Sequence, residues 1–217
     1  TATIKLNEIG PRMAALEIEG VVSTVERYLE NASWLALCGS LPPGVPSDFY
    51  AKLIERAREL GVKTLLDTDG EALARGIEAA PAIVTPNQQE AERLLNTVLL
   101  TRTQAIAAVR RIHSLGAASV VLSLGSRGAI ALTSDSGEAE MWEAIPPRID
   151  AISPIGAGDA LAAAILWALE EKKDFAEALR WGVACGTASA KLPGMSFASL
   201  EQTREVYEEV EALPVKL

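Results

Sequence analysis

The chain has 217 residues, 49% of them hydrophobic and 23% charged, enough for one domain with a sizeable core and too apolar for a disordered or fibrous protein. Its formal net charge of −9 excludes a general nucleic-acid scaffold, which needs a basic face, but not a local anion site built from backbone N–H groups. No apolar run reaches the ~20 residues of a membrane span and nothing reads as a signal peptide. Cys38 and Cys185 sit in apolar surroundings without metal-ligand spacing, so we expect buried free thiols and a cytoplasmic protein.

Taken in chain order, apolar β-branched runs alternate with amphipathic helical stretches. Thr1–Leu6 alternates like a strand from the first residue, and we expect a chain that lacks an N-terminal portion. Trp34–Cys38 reads as a short strand ending at Gly39, followed by a helix over Ser47–Leu60 with Gly61 as its stop. A strand over Val62–Asp67, a short helix over Glu71–Ala79 and a strand over Ala82–Thr85 come next. Two helices, Gln88–Leu95 and Thr103–Leu115, precede the apolar strand Ser119–Leu124. Ala129–Thr133 and Ala139–Ile145 read as a hairpin around the polar Ser134–Glu138 turn. The remainder is expected to be helical: Gly158–Glu170, Phe175–Lys191 and Leu200–Leu213. This alternation indicates a mostly parallel sheet with helices on both faces, in one domain. Ligands of such sheets bind beyond the carboxyl ends of the strands, so the residues there carry the functional argument.

Four motifs stand at strand ends. Gly156-Ala157-Gly158-Asp159 opens an apolar helix. Glycines at a helix start let a ligand approach free N–H groups, which with the helix dipole make an anion hole. Asp159 in the first turn is placed to accept a proton from a hydroxyl lying there, the arrangement a phosphoryl transfer requires. A tight turn followed by a favourable first-turn acid explains the same residues equally well. A dinucleotide fingerprint does not, because Leu161 replaces the third glycine and Pro154 spoils the preceding strand. Gly39-Ser40-Leu41-Pro42-Pro43-Gly44 is a stiff loop offering the Ser40 hydroxyl, or simply a rigid turn. Asn87 and Glu90 have capping-box spacing, and their oxygens also suit water on Mg²⁺ beside nucleotide phosphates. Ser123-Leu124-Gly125-Ser126-Arg127-Gly128 suits a loop under a ribose or phosphate, or a glycine-rich connection.

With Lys5-Leu6-Asn7-Glu8, Gly10-Pro11, Leu66-Asp67-Thr68-Asp69-Gly70-Glu71-Ala72-Leu73 and the late Pro193-Gly194 turn added, the chain resembles the phosphofructokinase-B group of the ribokinase superfamily. It is most similar to the 1-phosphofructokinase and tagatose-6-phosphate kinase branch. The resemblance implies a ribokinase-like three-layer sandwich and an ATP-dependent, Mg²⁺-requiring phosphorylation of a sugar phosphate. Residues 1–217 would form the C-terminal, nucleotide-binding part of that domain, without the N-terminal strands and lid. Carried over residue by residue, Asp159 would be the general base, and Gly156, Ala157 and Gly158 the anion hole. Ser40 and Gly39 would meet the sugar phosphate, while Ser123, Gly125 and Gly128 would line the nucleotide site. Asn87, Glu90 and Asp67 would organise Mg²⁺ through water. The complete protein would be a homodimer that binds neither nucleic acid nor membrane.

Two departures stand out: Thr85 where such kinases carry Lys, and Pro154 where they carry Thr. A degenerate relative that binds nucleotide with little turnover, or a kinase for an unphosphorylated sugar or nucleoside, are the alternatives. The 217 residues alone are expected to be poorly active. His113 and the four tryptophans, Trp34, Trp142, Trp167 and Trp181, read as structural.

Overall fold

The computed structural model describes residues 10–134 and 137–216. The expected strand at Thr1–Leu6, the Lys5–Glu8 motif and part of the Ser134–Glu138 turn lie outside these residues. Among the described residues seven strands form one sheet, β1 (Trp34–Cys38), β2 (Lys63–Asp67), β3 (Ile83–Val84), β4 (Ser119–Ser123), β5 (Ala129–Thr133), β6 (Glu140–Ile145) and β7 (Glu211–Pro214). Spatial order equals chain order. The pairs β1–β2, β2–β3 and β3–β4 are parallel, and β4 to β7 pair antiparallel.

That monotonic order decides where the helices go. Crossovers between parallel strands are right-handed, so a sheet that always advances in one direction puts every crossover helix on one face. Helices α2 (Phe49–Glu59), α3 (Gly70–Glu78), α4 (Gln88–Leu95) and α5 (Arg102–Ser114) pack there with Leu66, Val84, Val120, Leu122, Ile130 and Leu132. The opposite side chains of the same strands, Leu65, Ile83, Val121, Ala129 and Ala131, bury against α6 (Ala157–Glu170), α7 (Phe175–Ala190) and α8 (Leu200–Tyr207). Both faces of the strands are apolar because both are covered. The expected three-layer α/β sandwich is present.

Three expectations need correction. A helix not anticipated from sequence, α1 (Ala15–Leu29), packs Leu29 and Val25 against Ala57, Val62 and Leu35. The last predicted helix stops at Tyr207. Residues Glu211–Pro214 instead extend the sheet along the free side of β6, with Trp142 paired to Pro214 and Ile145 to Glu211. Cys38, the last residue of β1, is exposed and Cys185, on α7, is half-buried; both are free. The structural readings of His113 and Trp181 agree with their surroundings. His113 Nε2 lies 2.9 Å from Ser134 Oγ, and Trp181 stacks on Tyr207 with centroids 4.3 Å apart.

Candidate active site

The carboxyl ends of β1 to β4 and the N-terminus of α6 come together on one edge of the sheet. Cys38 and Asp67 are register partners at the ends of β1 and β2. Beyond them the chain turns at Gly39, which has φ +88 and whose N–H donates to Asp67 O at 2.8 Å. Its carbonyl accepts from Thr68 Oγ1 at 2.8 Å and from the Tyr50 hydroxyl at 3.1 Å. The Gly39 turn is therefore fixed from three sides and presents Ser40 to solvent. Gly10–Met13 lies against the following loop: Met13 N–H donates to Pro43 O, and a Cβ on Gly44 would stand 2.5 Å from Met13 O. Two sequence motifs far apart in the chain are thus one surface.

Charge at this edge is negative. Burial is the main reason the Asp67 carboxyl is pushed up to about 6, and repulsion from Glu90 and Asp159 adds to it. Burial also raises Glu90, against the opposing pull of its bonds with Asn87. The Cys38 thiol is pushed up to about 11, first by the protein around it and then by Asp67 and Asp159. The Asp159 charge is felt at both Asp67 and Cys38, so Asp159, on a different element, belongs to the same edge of the sheet. Thr85 follows β3, is 6% exposed, and its Oγ1 has no hydrogen-bond partner of normal geometry. It nevertheless lies close enough to Asp67 to favour that carboxylate.

Asn87 and Glu90 do form the capping box. Asn87 Oδ1 accepts from Glu90 N–H at 3.0 Å, and Glu90 Oε2 accepts from Asn87 N–H at 2.8 Å. The Asn87 amide also reaches the other Glu90 oxygen. Asn87 Oδ1 and both Glu90 oxygens are thus engaged within the cap. Asn87 forms a parallel bridge with Ser123, which joins this helix start to the glycine loop after β4. That loop is a 3-10 turn over Gly125–Arg127, with Gly125 at φ +61 and Gly128 at φ +84. A Cβ on Gly128 would lie 1.9 Å from Ala144 O, so only glycine fits where β5 begins under β6.

The turn into α6 is built around Gly156. Gly156 has φ 81 and ψ −6, the angles of the third residue of a type II turn, which Ala157 N–H closes on Pro154 O at 3.3 Å. The first regular helical bond is Ala160 N–H to Gly156 O. Among the described residues, the Gly158 and Asp159 amides have no acceptor and point out of the helix start with its dipole. Ala157 N–H is thus partly occupied, whereas Gly156 N–H, like those of Gly158 and Asp159, has no acceptor among the described residues. Asp159 is exposed beside these amides.

The described residues include no group of three or more His, Cys, Asp or Glu placed to hold a metal directly. Asp67 and Glu90 instead form an under-compensated negative pair, which suits a hydrated hard cation carried in on phosphates. Two clefts, about 470 and 760 Å³, contain none of the motif residues. The second opens at the opposite ends of the strands, by Trp34, Lys63, Ile83 and Ser119.

Residues 5–203 match the sequence profile described as pfkB family carbohydrate kinase. The chain belongs to this family. It is 33% identical over 181 residues to the ATP-dependent 6-phosphofructokinase isozyme 2 of Escherichia coli, covering 82% of this chain and 57% of the relative. A 1-phosphofructokinase of Rhodobacter capsulatus is 35% identical over 180 residues, 82% of this chain and 56% of the relative. The structure of the Escherichia coli phosphofructokinase-2 in complex with fructose-6-phosphate superposes with a TM-score of 0.80 at 30% identity, over 93% of this chain and 64% of that one. This pfkB-family chain spans less than two thirds of the length of these relatives. None of its described helices is long and apolar enough to cross a membrane.

Proposed function

We propose that residues 1–217 are the C-terminal, nucleotide-binding part of a cytoplasmic sugar-phosphate kinase that transfers a phosphoryl group from ATP to a hydroxyl. The observation that carries this reading is the convergence of three features: the Gly158 and Asp159 amides without acceptors, the exposed Asp159 carboxylate beside them, and the buried Asp67 carboxyl at the end of β2. In this assignment Gly156, Ala157, Gly158 and the Asp159 amide cradle the transferring group. Positioning and fixed dipoles do most of the work in such a transfer, since little covalent chemistry falls to the protein. Asp159 takes the proton of the attacking hydroxyl. Ser40, with Gly39 fixing its turn, contacts the acceptor sugar phosphate. Ser123, Gly125 and Gly128 line the nucleotide. Asp67, Asn87 and Glu90 hold the waters of Mg²⁺, which would neutralise charge on the phosphates when bound. The acceptor is of the fructose 1-phosphate or tagatose 6-phosphate type, and the complete protein is a homodimer.

Thr85 favours a second reading, nucleotide binding with little turnover. An uncharged, enclosed hydroxyl supplies no cation to the phosphates. Both readings are tested on the native protein that contains this chain, by ATP–Mg²⁺ calorimetry and a phosphosugar panel with Asp159→Asn alongside. Binding retained with turnover reduced about 10³-fold or more supports the kinase, a size set by loss of general base and positioning together. Binding without turnover on any acceptor supports the second reading, and no binding in folded protein removes both.

A further inference from the structure

Among the described residues, the segment leading into the glycine turn is tied down by the end of α7 and the loop after it. Ile152 and Ser153 both donate their N–H to Ala190 O, at 2.8 and 3.1 Å. The Ser153 hydroxyl is 8% exposed, donates to Gly194 O at 2.7 Å and accepts from Ile155 N–H at 3.3 Å. The Phe197 ring covers Gly156 so closely that a Cβ there would be 3.1 and 3.3 Å from two ring carbons. On α7, Gly186 lets the helix backbone reach Ala157, and a Cβ would stand 2.8 Å from Ala157 O. The loop is itself pinned, since Ala198 N–H donates to the buried Ser189 Oγ at 3.1 Å.

We propose that Ser153 and Phe197 are positioning residues that hold the anion-binding turn in a single state, an inference that rests on the reading of that turn given above. Type I and type II turns differ by a flip of the central peptide, here between Ile155 and Gly156. Glycine adopts either form at little cost, so Gly156 alone does not choose between them. Reversal of that peptide re-aims the Gly156 amide and tilts the start of α6, which carries Gly158 and Asp159. Ser153 and Phe197 act on the two sides of this peptide. The hydroxyl ties Ile155 N–H to the loop, and the ring packs on Gly156. Pro154 has no N–H to contribute, which leaves the Ser153 hydroxyl to make the connection. Although its ring packs on the turn, Phe197 is 58% exposed. Truncating it removes little buried area, which separates local positioning from global stability.

The test uses the native protein with Ser153→Ala, Ser153→Thr and Phe197→Ala, read by hydrogen exchange at amides 155–160 and by phosphoryl-transfer kinetics. We expect exchange to accelerate at least about tenfold in Ser153→Ala and Phe197→Ala, with the α7 core unchanged. The kcat should fall about 10- to 100-fold with the KM for ATP within about threefold, the pattern of misplaced reacting groups. Ser153→Thr, which keeps the hydroxyl, should restore both. Wild-type exchange or wild-type kcat in folded Phe197→Ala protein overturns the proposal, as does a Ser153→Thr variant as impaired as Ser153→Ala. Full activity in Asp159→Asn would instead remove the reading of the site, and the exchange data would still decide whether the two residues hold the turn.

Discussion

Cys38 and Asp67 face each other as register partners at the last positions of β1 and β2, so a thiol and a buried carboxyl share one end of the sheet. Burial is the main cause at both, and the Asp67 charge adds to the effect on Cys38: the thiol is raised to about 11 and the carboxyl to about 6. An exposed cysteine is ordinarily a ready target for alkylation, but only the thiolate reacts. At pH 8, Cys38 should therefore react with iodoacetamide about 100-fold more slowly than an unperturbed thiol, with the rate rising about tenfold per pH unit. Asp67→Asn should accelerate the reaction. Rapid stoichiometric labelling of Cys38 at pH 7, located by peptide mass spectrometry, would contradict this account.

The raised carboxyl also sets a direction for stability. Asp67 binds its proton more tightly folded, near 6, than at its ordinary 3.8, so the native state holds more protons between these values. Stability from this group is accordingly full below about pH 4 and declines as pH rises towards 6. The penalty above that is at most about 3 kcal/mol, from 1.4 kcal/mol per pKa unit. Asp67→Asn should raise the urea midpoint at pH 7.5 and lose the advantage at pH 4. An equal shift at both pH values would mean that the gain is not electrostatic.

Gly128 is the position least able to accept a side chain. A Cβ would overlap Ala144 O at 1.9 Å and Pro146 Cδ at 2.7 Å, at a φ of +84. Gly128→Ala should cost about 3 kcal/mol or more, combining overpacking with left-handed backbone strain. At ~2–4 °C per kcal/mol for a chain of this size, the melting temperature should drop by about 6–12 °C. Gly125→Ala, with φ +61 but no atom within 4 Å of the added Cβ, should cost about 1–2 kcal/mol. Equal losses in the two variants would show that the close approach to Ala144 is relieved elsewhere.

Asn87 separates a cap from a ligand. Asn87→Asp keeps the acceptor for Glu90 N–H, whereas Asn87→Ala removes it at about 1 kcal/mol. If the cap is its whole role, ATP–Mg²⁺ affinity should be unchanged in Asn87→Asp. Under the proposed function, Asn87→Asp weakens binding or alters its Mg²⁺ dependence, because the amide donor is lost although the helix start is intact. Calorimetry on the two variants distinguishes these outcomes.

Much of this architecture was legible in the residues. Strands such as Ser119–Ser123, apolar on both faces, pointed to a covered parallel sheet, and glycines after them marked turns that proved to have positive φ. What escaped has physical causes. Helix α1 spaces Ile18, Val22, Val25 and Leu29 on one face, but Gly20 and its valines and threonine weaken the helical signal, and only Leu29 is fully buried. Glu211–Pro214 has neither alternation nor β-branched residues. It is a strand because the edge of β6 was available to it, a tertiary demand that overrides local preference. In the site, strand-end glycines and carboxylates were visible as motifs. The role of Ser153 was not, since a serine three residues before a glycine turn carries no signal until the loop from α7 is seen to meet it.

The strand order of the sheet has a consequence for synthesis. Each strand from β2 to β6 pairs with the one made just before it, so a chain emerging from the ribosome can add its sheet one strand at a time with short loop closures. The turn at Gly156 is an exception to this vectorial order. Its restraints come from Gly186, Ala190, Gly194 and Phe197, translated 30 to 41 residues later. A nascent chain that has reached α6 thus has its acidic strand ends in place but an unsecured anion-binding turn, and catalytic competence would be among the last properties the ribosome delivers.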